Sequence, residues 1–145
     1  MNNREKMIML GNLGEKIVRH LAQEEGCVVK ENPSLYDSTK DLTINGRSCE
    51  VKTQTRFVVE NAFTVKENQV TKCTNVDLLY FVETPIKGDV INIYECPKEK
   101  RNFRTRKTKD GRVMYLLDRD GMDVIYSLND QWIANEMRQN SNSTW

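Results

Sequence analysis

The chain has 145 residues, 30% of them charged and 38% hydrophobic, with a formal net charge of +1. That length suits one domain that buries its own core, and no apolar run approaches the ~20 residues that span a bilayer, which excludes a membrane helix. The charge is unevenly spread: residues 98–112 hold eight basic side chains against Glu99 and Asp110, a local +6 that leaves −5 for the rest, so a polyanion would be drawn to one end of the molecule.

Residues 4–25 read as a helix, because Leu10, Leu13, Ile17, Val18 and Leu21 recur at three- and four-residue steps and share one face. Gly26 suits its end, since glycine takes the left-handed conformation that stops a helix. Residues 27–30 form a short strand or its approach, and Asn32, Pro33 and Ser34 are turn material. Asn45-Gly46 between β-prone flanks predicts a two-residue type I′ hairpin with strands at 41–44 and 47–55, because both central positions need positive φ. A more polar segment follows, and then a short helix over 65–72. Residues 77–83 are an apolar run suited to a central strand, and 90–96 are strand-like. The basic stretch comes next, with Asp110-Gly111 as a turn before a strand at 113–117. Residues 129–139 are expected to close the chain as a helix, with 140–145 a flexible polar tail. With no repeat and no linker, residues 1–145 read as a single α/β domain.

Cys27, Cys49, Cys73 and Cys96 are scattered, with no CxxC pair and only His20 as a histidine. Such spacing argues against zinc and for packed, inert thiols. The polar start, residues 1–6, does not read as a secretory signal, so the expectation is a reducing cytoplasm.

The hairpin carries the chemistry. With Asn45 and Gly46 at its tip, Ile44 faces Arg47, Thr43 faces Ser48, Leu42 faces Cys49 and Asp41 faces Glu50. Directly opposed residues have Cβ atoms about 4.5–5.5 Å apart, and two carboxylates there repel unless a cation sits between them. Strand alternation puts Lys52 on the face of Glu50, with Cys49 and Val51 on the other. Two acids and a lysine on one face suit phosphodiester hydrolysis: the carboxylates hold Mg²⁺, with Mn²⁺ able to substitute, and the lysine stabilises developing negative charge. Asp37 competes as the first acid, but the same register sets it opposite Gln54, which favours Asp41 unless a bulge intervenes. Gln54 shares the face of Lys52, either touching a metal-bound water or phosphate or standing as a solvated strand-end residue.

These residues resemble the PD-(D/E)xK nuclease superfamily, which includes restriction endonucleases, junction resolvases and some phage and homing endonucleases. The resemblance rests on Asp41, the Glu50-Val51-Lys52 triplet and the order of elements around them, and covers residues 10 to 95. Lys40 stands where the short motif has proline. The resemblance implies a restriction-endonuclease-like core, a small mixed β-sheet with a catalytic β-hairpin flanked by helices. It also implies that Glu15, after Gly14 on the first helix, is a third acid aimed at the metal. His20 on that helix is either a base or a surface residue.

A nuclease must neutralise phosphates beside its metal, which assigns Lys100, Arg101, Arg104, Arg106 and Lys107 to backbone contacts, with Phe103 and Tyr115 able to stack on bases. The expected partner is double-stranded or branched DNA, cut either at a sequence or at a structure. The alternatives are an RNA nuclease and a catalytically idle nucleic-acid-binding module. Cutting two strands needs two sites, so a homodimer or homotetramer is expected, with Tyr80, Phe81, Tyr126 and Trp132 as apolar material for an interface.

Overall fold

The computed structural model describes residues 3–33, 40–55, 61–84 and 90–129. The first element is the helix α1 (Asn3–Glu24), which presents Ile17, Val18 and Leu21 as a buried stripe. It ends as expected. Gly26 has φ 86°, its N–H donates to the Gln23 carbonyl at 3.0 Å, and the Cys27 N–H reaches back to the Ala22 carbonyl at 3.0 Å. This pair of bonds is a Schellman cap, which satisfies carbonyls that the helix itself leaves open.

Three antiparallel strands follow, β1 (Val29–Pro33), β2 (Lys40–Ile44) and β3 (Arg47–Thr55). Asn32 and Pro33 belong to β1 rather than to the expected turn, and Pro33 is tolerated there because β1 lies at a sheet edge. Between β2 and β3, Asn45 (φ 52°) and Gly46 (φ 77°) make the type I′ turn that the Asn-Gly pair demands. Asn45 also fastens β1: its side-chain oxygen accepts the Val28 N–H at 2.8 Å, and its own N–H donates to the Val28 carbonyl at 2.8 Å.

The chain then leaves this sheet and returns to it. The strand β4 (Ala62–Val65), a 3₁₀ turn at Glu67–Gln69 and the short helix α2 (Val70–Asn75) precede β5 (Leu78–Thr84), which pairs parallel to β3 from Cys49↔Leu78 to Thr55↔Thr84. The helix expected over 65–72 thus begins later, because Ala62 to Val65 pairs as a strand with a partner far along the chain. Next come β6 (Val90–Glu95), a 3₁₀ turn at Lys98–Lys100, β7 (Arg104–Lys107), β8 (Val113–Asp118), a 3₁₀ turn at Arg119–Gly121 and β9 (Asp123–Asn129). Gly111, with φ 87°, turns the chain between β7 and β8. Asn129 ends β9, and the rest of the closing helix expected over 129–139 lies outside the described residues, as do residues 140–145.

The class is mixed α/β, mostly sheet, in two sheets. One has six strands in the order β1-β2-β3-β5-β6-β9, the other three in the order β4-β8-β7. The larger sheet is covered on both faces. On one side α1 packs Ile17, Val18 and Leu21 against Leu42, Ile44, Cys49, Leu78, Val82 and Ile93. On the other, Leu79 and Phe81 of β5 meet Phe63, Cys73, Val76, Tyr94 and Leu117 from the smaller sheet, α2 and β6. Phe63 stacks on Phe81 with ring centres 4.6 Å apart and meets Tyr94 edge-on at 5.5 Å. This double cover explains why β5 reads as an uninterrupted apolar run. It also removes Phe81 from the expected interface set: the ring is fully buried in the inner core. Tyr80 and Tyr126 are half-buried on the α1 side, and Trp132 lies outside the described residues.

The four cysteines are free, and Cys49, Cys73 and Cys96 are buried. Burial pushes the Cys49 thiol up to about 12 and those of Cys73 and Cys96 to about 11, so none is a thiolate near neutrality. Among the described residues, no helix is long and apolar enough to cross a membrane.

Candidate functional site

The hairpin holds the expected register through Ile44↔Arg47, Thr43↔Ser48 and Leu42↔Cys49, and the β2–β3 ladder ends there. Asp41 is the next residue of β2, paired on its other side with Asn32 of β1. Its side chain lies outside the described ones, as does Asp37 altogether. At the start of β5, Ser48 and Asp77 lock the strands together. The Ser48 N–H and hydroxyl donate to the Asp77 carboxylate at 3.0 and 3.2 Å, and the Asp77 N–H donates to the Ser48 hydroxyl at 2.9 Å. Those bonds hold the Asp77 carboxyl below its ordinary range.

Beyond Cys49, strand alternation does what the sequence implies. Glu50, Lys52 and Gln54 share a face, beside Leu79, Phe81 and Glu83 of β5, while Cys49, Val51 and Thr53 turn toward α1. Glu50 is only 14% exposed and lies between two ammonium groups. Lys52 Nζ is 3.3 Å from its Oε1, and Lys72 Nζ is 3.0 Å from its Oε2. Lys52 also donates to Gln69 Oε1 at 2.7 Å. Gln69 and Lys72 stand three residues apart, one helical turn, as α2 crosses the face of β3 while Cys73 and Val76 enter the core beneath. Sequence reasoning did not assign Lys72 a role. The usable signal was topological, because a connection between parallel strands lies over their face and brings its inner polar residues to the strand.

Gln54 splices β3 to β4: its side-chain oxygen accepts the Thr64 N–H at 3.1 Å. Glu15 reaches β3 from the α1 layer. Its neighbour Gly14 lies so close to β3 that an added Cβ would meet Thr53 Oγ1 at 1.8 Å. Glu15 and Glu50 both add to the effect of burial on Cys49, so each lies within electrostatic reach of that thiol, one from each side of the strand. His20 sits 3.1 Å from Glu24 Oε1, one turn along α1.

The chain matches no protein-family model, no curated protein and no solved structure.

The smaller sheet packs on the same side of β3 as Glu50, so the basic stretch shares that side of the molecule. Its residues divide sharply. Arg101 is buried at 6% exposure. Its Nε donates to the Cys96 carbonyl at 3.0 Å, and its terminal nitrogens donate to the carbonyls of Cys73, Thr74, Val76 and Asp77. The guanidinium thus closes the C-terminal end of α2 and does not face a phosphate, which corrects its assignment from sequence. Arg104 grips Asp118 through two nitrogens, at 2.9 and 3.0 Å. Lys100, Arg106 and Lys107 are exposed, the last two on the edge strand β7, where charge also discourages unwanted strand pairing. Phe103 packs against the inner core, half-buried, and Tyr115 is half-buried on β8.

A hard divalent cation such as Mg²⁺ is commonly held by one or two carboxylates, with water and substrate oxygens completing the shell. Glu50 is a carboxylate, half-buried, whose two oxygens are held by the two lysines. Asp41 follows the last hairpin pair on the neighbouring strand. Among the described residues no group of three or more His, Cys, Asp or Glu stands together. A cavity of about 300 Å³ lies on the opposite, α1 side, lined by Leu21, Ala22, Tyr80, Ile93 and Tyr126, away from this cluster.

Proposed function

We propose that the chain is a Mg²⁺-dependent endodeoxyribonuclease centred on Glu50, Lys52 and Asp41. The observation that carries the reading is the Glu50–Lys52 pair on one face of β3, half-buried and roofed by α2 with a second lysine. An acid for a metal and fixed cations for a phosphate, in a partly dry site, is what phosphodiester hydrolysis needs. Glu50 and Asp41 would hold Mg²⁺ or Mn²⁺, whereas Glu15, which approaches β3 from the α1 side, lies across the sheet from Glu50. The ion supplies a polarised phosphate oxygen and a bound water of lowered pKa. Lys52, held by Gln69, stabilises negative charge on the phosphate. Lys100, Arg106 and Lys107 hold the flanking DNA backbone by charge, without reading sequence.

The element order supports the resemblance to PD-(D/E)xK nucleases: a helix, a three-stranded antiparallel unit carrying the triplet, then a crossover through α2 to a parallel central strand. The free thiols fit a reducing cytoplasm. Cleavage of both strands, or of a branched junction, would require a homodimer or homotetramer with two such sites. The rival reading, a module that binds nucleic acid without cutting it, draws on the same lysines. Incubation with supercoiled plasmid, a four-way junction and RNA, with Mg²⁺ or with chelator, decides between them. The expected outcome is Mg²⁺-dependent nicking or linearisation of DNA. Tight binding with no product in any metal would leave the binding module as the better account, and products from RNA alone would move the substrate class.

A further inference from the structure

The nuclease reading leaves the α1 side of the larger sheet without a task. A cavity of about 300 Å³ lies there, between the last turns of α1 and the strands β5, β6 and β9. Val18, Leu21, Ile44, Ile93 and Ile125 give it apolar walls. It is larger than the ~150 Å³ that admits benzene and reaches the low end of the ~300–1,000 Å³ of small-molecule sites. Its outer wall is irregular for a reason that the register shows. Ile93 pairs with Tyr126 and Tyr94 with Val124, so Ile125 is an extra residue on β9. Such a bulge bends the edge strand at the cavity's rim.

The ionised groups around this space carry one sign. Glu95 lines it, directly opposite Tyr80 of β5 on one side and Asp123 of β9 on the other. Two carboxylates in direct register repel each other. Neither is in an ion pair among the described residues. A third acid, Glu25, stands just beyond the end of α1 and accepts the Tyr126 hydroxyl. Burial, with Glu95 beside it, pushes the Tyr80 hydroxyl up to about 12. Arg47 lies within electrostatic reach of Tyr80, but no Lys, Arg or His is among the described lining residues.

These features select an occupant. An anion would meet uncompensated like charge, and a purely apolar molecule would leave the acids unanswered. No three of the described acids stand close enough together to grip a metal ion. An organic cation needs no such convergence, since one carboxylate can hold its ammonium by a charge-assisted hydrogen bond. Two tyrosines in the lining also favour a cation over an anion.

We propose that this cavity binds a small organic amine in its protonated form, with the apolar body between α1 and β6 and the ammonium on Glu95. The bound charge also relieves the repulsion between Glu95 and Asp123. The site lies across the sheet from Glu50 and owes nothing to the nuclease reading. Phenethylamine is the probe, with phenethyl alcohol and phenylacetate as neutral and anionic compounds of similar size. Titration of the full chain, followed by amide NMR shifts, should show the amine binding about tenfold more tightly than the alcohol, the worth of one charge-assisted hydrogen bond. Phenylacetate should show no saturable binding. Glu95→Gln should lower the amine affinity by about tenfold and leave that of the alcohol unchanged. Ile125→Trp, at the partly exposed rim, should weaken both by filling the space, and the same spectra report that each variant is folded. Equal affinity for amine and alcohol would overturn the proposal, as would an amine preference that survives Glu95→Gln. Amine binding unchanged in Ile125→Trp would place the ligand elsewhere and overturn the site. Absence of saturable amine binding at millimolar concentration would do the same.

Discussion

Glu50→Gln is expected to abolish DNA cleavage while leaving DNA binding intact or tighter. In the proposed reading the carboxylate does two opposing things: it would hold the divalent ion, and it occupies two lysines that would otherwise be open to phosphate. The amide is nearly the same shape and still accepts a hydrogen bond, but it carries no charge to hold Mg²⁺. Removing that charge frees Lys52 and Lys72 for the DNA backbone, so the two readouts should move in opposite directions. Asp41→Asn should behave alike if it is the second metal ligand. Lys52→Ala should lose about 10²–10³ in rate, the size expected for one transition-state charge contact. Turnover near that of the unaltered chain in Glu50→Gln would remove Glu50 from the centre of the mechanism.

Arg101→Ala should be the most destabilising single change on the basic stretch, by about 3 kcal/mol. Five backbone carbonyls share this one buried guanidinium, and they include those at the end of α2 and the start of β5. Truncation would strip them of their donor where water has little access, and would withdraw a positive charge from a helix C-terminus. Arg101→Lys should recover only part of the loss, because an ammonium cannot fork toward carbonyls lying in several directions. Urea unfolding reads this directly as a lowered midpoint with unchanged slope. An unchanged midpoint with weaker DNA binding would return Arg101 to the nucleic-acid surface.

The parts of this fold that were legible in the sequence are those fixed locally. Asn45-Gly46 set the hairpin register because two consecutive positive-φ positions admit few residue types. The stripe from Leu13 to Leu21 and the cap at Gly26 marked α1 for similarly local reasons. The rest depended on partners remote in sequence. Ala62 to Val65 is a strand because β8 comes back to meet it, and its four residues are too short for alternation to show. Residues 123–129 were not recognised as a strand, since β9 lies at an edge with Val124 and Ile125 exposed. Arg101 looked like its basic neighbours because nothing in composition distinguishes an arginine facing carbonyls from one facing solvent. In the site, Glu50 and Lys52 followed from alternation along one strand, whereas Lys72 needed the crossover of α2.

The pairing of β4 with β8 has a consequence for the order of assembly. Residues 62–65 must wait for residues 115–118, whereas β2 and β3 meet across a two-residue turn. Closing the long loop costs more chain entropy and slows non-local pairing. Half of the site, Glu50 and Lys52, can therefore stand on a hairpin formed early, while the roof bearing Gln69 and Lys72 is seated only when β8 arrives to complete the inner core. A nascent chain would then show a carboxylate and a lysine but no enclosed centre until the latter part of the domain has emerged. Pulse-labelled amide exchange during refolding should find β2 and β3 protected before β4 and β8, and simultaneous protection of all four would show that the two halves form together.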